Sequence, residues 1–177
     1  MAVCGSRALG LLAALALACG CSPARSTAGL PEGAYILPDA VGGQLLLQCS
    51  RPAPVKGEGG FQPDPADIAA LEAGLAQAIA HRDAYPPNIG GRAVPMPGSL
   101  DLLQAPKGFK RQYAGIIRGG RRYIYGNFFP ASEFTGDGHN DLASSPVAVC
   151  DGGPAFFGAE FDIAAGRFTH LAFNGPG

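Results

Sequence analysis

The sequence predicts an α+β fold in which one main amphipathic helix packs on an antiparallel sheet of about four strands, a cystatin-like or inhibitor-like meander. Ile68, Leu71, Leu75 and Ile79 recur at spacings of three, four and four, one stripe along a helix. Two pairs of aromatic and β-branched runs in the C-terminal half are each joined by a glycine-bearing turn, the pattern of consecutive hairpins. A meander must cover its apolar face, and the helix is the sizeable partner that the sequence offers.

Taken in chain order, the first element is a leader. MAVCGSRALGLLAALALACGC carries one charge at Arg7, an apolar stretch from Leu9 to Ala18 and small residues before a cysteine, the layout of an export signal. The stretch is shorter than the roughly 20 apolar residues a transmembrane helix needs. It resembles a bacterial lipoprotein signal, a resemblance carried by Ala18-Cys19-Gly20-Cys21 and, in an alternative frame, Ala16-Leu17-Ala18-Cys19; a signal cut by general signal peptidase would use the same small residues. Cleavage before Cys21 leaves Cys49 and Cys150 to pair in an oxidising compartment, whereas cleavage before Cys19 strands Cys21 as an odd thiol. Parity therefore favours Cys21 over Cys19 as the lipidated residue. The expected division is a signal peptide at 1–20, an anchor and flexible tether at 21–32, and one α+β domain at 33–177.

The lipoprotein resemblance implies a lipid-borne membrane anchor and a cell-envelope location. With Ser22 after the lipidated cysteine, it implies the periplasmic face of the outer membrane in a host with two membranes. Loss of residues 1–20 removes Arg7 and leaves 12 basic against 14 acidic residues, a charge of −2. That balance excludes the basic surface field that general nucleic-acid binding requires.

Ser22–Pro31 is small, polar and proline-bearing, hence a tether. Ala34–Leu37 and Gln44–Cys49 are short apolar runs bounded by Gly and Pro, read as strands or extended segments. Asp64 is a preferred N-cap, Pro65 stands at the first helical position and Asp67 places negative charge in the first turn, so a helix of about 17 residues follows. Residues 84–107 hold five prolines among glycines and form a long irregular connection. KRQYAGIIRG and RRYIYGNFF make the first hairpin around Gly119-Gly120. FFGAEFDI and RFTHLAFN make the second around Gly166, with Phe157, Ala159, Phe161 and Ile163 on one face.

QCSR at 48–51, GGFQP at 59–63, RQYAGI at 111–116, RRYIYGNFF at 121–129, VCDGGPAFFGAEFD at 149–162 and HLAFNG at 170–175 resemble a family of small exported bacterial proteins or lipoproteins of uncharacterised function, with a CDGG-aromatic-strand motif. The resemblance spans residues 44–175. It implies no activity or catalytic residue, and it places Cys49 and Cys150 inside matching motifs.

A Cys49–Cys150 disulfide would close a loop of about 100 residues and stabilise the fold by roughly 4 to 5 kcal/mol in the chain-entropy view. Candidate binding residues are Asp151, His139, Arg121 and Arg122. Asp151-Gly152-Gly153-Pro154 also reads as turn chemistry, and the positive charges around the first hairpin also read as a solvated hairpin. Asp137, His139 and Asp141 alternate like the start of a calcium loop, but Ala148 stands where the twelfth-position Glu belongs. Ser144 or Ser145, His139 or His170, and Asp141 or Asp151 offer a hydrolase trio without a nucleophile elbow. The residues thus require no cofactor, metal or catalytic group. They leave three classes: a binding or inhibitor-like module, a structural or accessory envelope lipoprotein, and a small hydrolase or metal-dependent enzyme using the 131–154 region. The partner would be the membrane through the anchor, with an envelope protein or cell-wall component beyond it.

Overall fold

The computed structural model describes residues 29–81, 108–135 and 141–175. Cys19, Cys21, the connection at 84–107 and His139 lie outside the described residues.

The protein is α+β, and its described residues form few helices and one mixed six-stranded sheet. In chain order come β1 (Ala34–Ile36), α1 (Asp39–Gly42) running into a 3-10 turn (Gly43–Leu46), β2 (Gly59–Phe61), α2 (Pro65–Ala80), β3 (Phe109–Arg118), β4 (Arg121–Pro130), β5 (Phe157–Asp162) and β6 (Arg167–Phe173). The strand order is β1-β3-β4-β5-β6, with β2 also on β3. The four long strands pair antiparallel in sequence order. The expectation of about four antiparallel strands falls short because β3 carries two short additions on its other edge. β1 runs parallel to it opposite Arg111 to Tyr113, and β2 runs antiparallel opposite Gly115 to Ile117.

Gln44–Cys49 is corrected as well. It forms a 3-10 turn and an irregular exit, because Leu45 and Leu46 are buried side by side, which an alternating strand cannot do on one face. α2 begins at Pro65 as expected, although the Asp64 side chain makes no capping bond and only its carbonyl accepts Ile68 N–H, at 3.1 Å. The β3–β4 turn places Gly119 and Gly120 at φ +57° and +71°, the positive values a type I′ hairpin needs at both central residues. In β6, Thr169 is the extra residue of a bulge opposite Glu160 and Phe161.

One face of the sheet buries Tyr113, Ile124, Phe128, Phe157, Phe161 and Leu171 against the α2 stripe of Ile68, Leu71, Leu75 and Ile79. Phe128 and Phe157 stack with centroids 4.6 Å apart. Glu72 reaches from α2 into this face, where its Oε1 accepts the Tyr113 hydroxyl and lies 3.0 Å from Arg111 Nε. The opposite face is also covered. Leu37, Leu45 and Leu46 pack on Ala114, Ile116, Tyr123 and Tyr125, and a second cluster joins Phe129 to Leu142, Val147 and Phe156. Two straps, residues 37–52 with α1 and its 3-10 turn and the largely irregular 141–156, thus do on one side what α2 does on the other.

Among the described residues no helix is long and apolar enough to cross a membrane.

Candidate functional site

The straps are held down by side-chain amides on or just after the strands. Gln112 on β3 donates from Nε2 to Leu142 O (2.8 Å) and Ser145 O (2.7 Å), and accepts Val147 N–H at Oε1 (2.7 Å). Asn127 on β4 donates to Val147 O at 2.9 Å, and Asn174 just after β6 donates to Val149 O (2.9 Å) and Asp151 O (2.8 Å). Their free carbonyl oxygens face Arg51, buried at 3 % exposure. Its guanidinium donates to Asn174 Oδ1 (2.7 Å), to Asn127 Oδ1 and to the Tyr125 hydroxyl (3.3 Å). Gly158 leaves the room for this, since a Cβ there would come within 2.6 Å of Tyr125 Cζ and 3.0 Å of Arg51 Nε.

Cys49 and Cys150 are disulfide-bonded, with their Cα atoms 4.9 Å apart, and the bond joins the two straps beside Arg51. The QCSR, RQYAGI, RRYIYGNFF, VCDGG and HLAFNG stretches therefore meet in one place. Arg51, Gln112, Asn127 and Asn174 were not singled out as candidates from sequence. For Asn127 and Asn174 the signal that could have found them is a lone amide beside aromatic and apolar residues; Arg51, next to prolines, and Gln112, after Lys110 and Arg111, carry no such local signal.

At the end of the sheet where β4 leaves and β5 enters, the second strap and a 3-10 turn (Ala131–Phe134) enclose a cleft of about 330 Å³. Pro130, Phe134, Val149, Ala155 and Phe156 form an apolar wall, and Glu133 and Asp151 supply the carboxylates. Phe134 is fixed against Phe129, with centroids 4.6 Å apart, and its carbonyl accepts Lys110 Nζ at 2.6 Å. Gly152 and Gly153 take φ of +88° and +64°, so the chain turns tightly after Asp151. A Cβ on Gly152 would sit 2.5 Å from the Phe156 ring, so glycine lets that ring close onto the turn. Among the described residues, neither Glu133 nor Asp151 has a side-chain ion pair or hydrogen bond.

The structure separates the remaining candidates. Asp151 lines the cleft, whereas Arg121 is at the far hairpin, its guanidinium 2.5 Å from Asp162. Arg122 lies 3.9 Å over the Phe61 ring. Arg118 grips Glu160 with two bonds of 2.8 and 3.0 Å, and Arg111 is buried beside Glu72. The charges that read as a basic patch are thus largely engaged within the fold.

Ser144 Oγ donates to Asp141 Oδ2 at 2.9 Å within one turn, where Asp141 Oδ1 also accepts Ala143 N–H. His170 is buried on β6, with Nε2 3.0 Å from Pro52 O. Burial pushes its imidazole below the ordinary value, partly opposed by the Pro52 carbonyl and Glu160. Among the described residues no cluster of three or more His, Cys, Asp or Glu side chains could hold a metal ion. No protein-family model, curated protein sequence or solved structure matches this chain.

Proposed function

We propose that the protein is an exported envelope lipoprotein, anchored through Cys21 with Cys19 as the alternative residue, whose folded part is a binding or inhibitor-like module. The observation that carries the binding reading is the cleft at the β4–β5 end. It is concave and mostly apolar, and its two acidic groups have no partner within the described fold. Small-molecule sites have this make-up, a mainly apolar lining with a few polar groups that fix orientation. Among the described residues the lining includes no Ser, Thr, Cys, His or Lys, which favours binding over nucleophilic chemistry. An envelope protein or a cell-wall component is the partner class that the export signal admits.

A photo-crosslinking side chain at Ala155, compared with one at the exposed Gln77 of α2, tests the reading in envelope extracts. A discrete adduct formed only from position 155, and lost when Ala155→Phe fills the cleft beside a crosslinker at Glu133, supports it. Equal labelling from both positions overturns it. For the anchor, mass spectrometry of the mature N-terminus is expected to show acylated Cys21, and an unacylated terminus elsewhere removes the lipoprotein reading.

A further inference from the structure

We infer that the cleft recognises an organic monocation, an ammonium group carried on an aromatic or aliphatic stem; this rests on the reading of the cleft as a binding site. The charge around the cleft is the first argument. Glu133 and Asp151 bring two negative charges, and Lys110, which is not part of the lining, approaches it only where its ammonium donates to the Phe134 carbonyl at 2.6 Å. Two carboxylates against one ammonium leave a net charge of −1, which one positive charge balances.

The second argument is chemical. Phe134 and Phe156 give the wall two aromatic side chains, and an ammonium near aromatic rings gains from their quadrupole while its stem buries apolar surface. A compact divalent metal ion would leave that apolar wall unused. A carboxylate or phosphate would meet like charge. The volume, about 330 Å³, is at the lower end for small-molecule sites and suits a group the size of benzylamine or a lysine side chain.

The full-length chain in detergent is titrated with benzylamine, benzyl alcohol and benzoate, following the methyl resonances of Val149 and Ala155. Benzylamine is expected to shift both, with the alcohol about tenfold weaker, benzoate without effect, and the amine's affinity falling as salt is raised. Glu133→Gln and Asp151→Asn should each weaken the amine about two- to fivefold, the size of an exposed ion pair, since both residues are exposed. Both are surface changes that leave the core untouched. Equal binding of alcohol and amine at the same methyls overturns the cation inference while leaving the cleft as a site. No shift with any of the three probes overturns the inference and the cleft reading together. Amine binding that survives Ala155→Phe unchanged places the ligand elsewhere and also overturns the inference.

Discussion

Arg51 is a buried guanidinium with no carboxylate beside it among the described residues, held by neutral oxygens from two side chains on β4 and from Asn174 just after β6. Charge-assisted bonds of this kind are stronger than neutral ones, and deleting one partner leaves the others buried and unsatisfied. Arg51→Met should therefore cost about 2 to 4 kcal/mol, because Asn127 Oδ1, Asn174 Oδ1 and the Tyr125 hydroxyl lose their donor together. A lower urea midpoint at unchanged slope is the expected reading. Arg51→Lys should fall close to the same value, since one ammonium cannot replace a planar fork that reaches three oxygens. Gly158→Ala attacks the same spot from the sheet side. Its Cβ would meet Tyr125 and stand 3.0 Å from Arg51 Nε, so a loss of roughly 1 to 3 kcal/mol is expected by the same assay, as in overpacked cores.

Among the elements, the straps differ from the strands in what holds them. β4 is paired on both sides, whereas the 141–156 strap is held by Gln112, Asn127 and Asn174 and by the bond from Cys150 to Cys49. Breaking that bond with the double substitution Cys49→Ser/Cys150→Ser frees two residues 101 positions apart, and the chain-entropy view assigns such a loop about 4 to 5 kcal/mol. Denaturant melts are expected to show that loss. Hydrogen exchange should quicken first at Val147 and Gly153, whose N–H groups bond to Gln112 and Gly175, with β3 to β5 following only at the global rate. The helix and both hairpins were legible in sequence because their signals are local: a four-residue apolar stripe, a glycine pair at positive φ, and alternation from Phe157 to Phe161. β2 was not, since two of its three residues are glycines and its pairing partner lies more than 50 residues on. Asp151 was readable as part of a turn. Glu133 and Phe134 became cleft residues only through the return of the 149–156 segment, which no local pattern encodes.

For the whole molecule, covering both sheet faces makes stability depend on pH through groups that either cover buries. His170 lies under the 50–52 stretch at Pro52, with Glu160, Arg51 and Arg118 as its charged neighbours, and burial holds its pKa below the ordinary 6.5. The folded protein therefore binds fewer protons at this group than the unfolded chain does just below pH 6.5. Its contribution is present above that pH and is lost as pH falls toward the lower folded value. Tyr113 works at the other end. Burial first, and Glu72 second, hold its phenol well above 10.0, so the unfolded chain ionises sooner and stability falls as pH rises past about 10. Denaturant midpoints from pH 8 down to pH 5.5 should decline, with a slope from this histidine of at most about 1.4 kcal/mol per pH unit for one proton. His170→Gln removes the titrating group while keeping a donor for Pro52 O, and it should flatten that decline. Tyr113→Phe should shift the alkaline limb alone, because its phenol meets α2 on the other face of the sheet. If His170→Gln left the neutral-to-acid slope unchanged, the titration would belong to other groups, and the burial of His170 under the strap would not be what the protein feels.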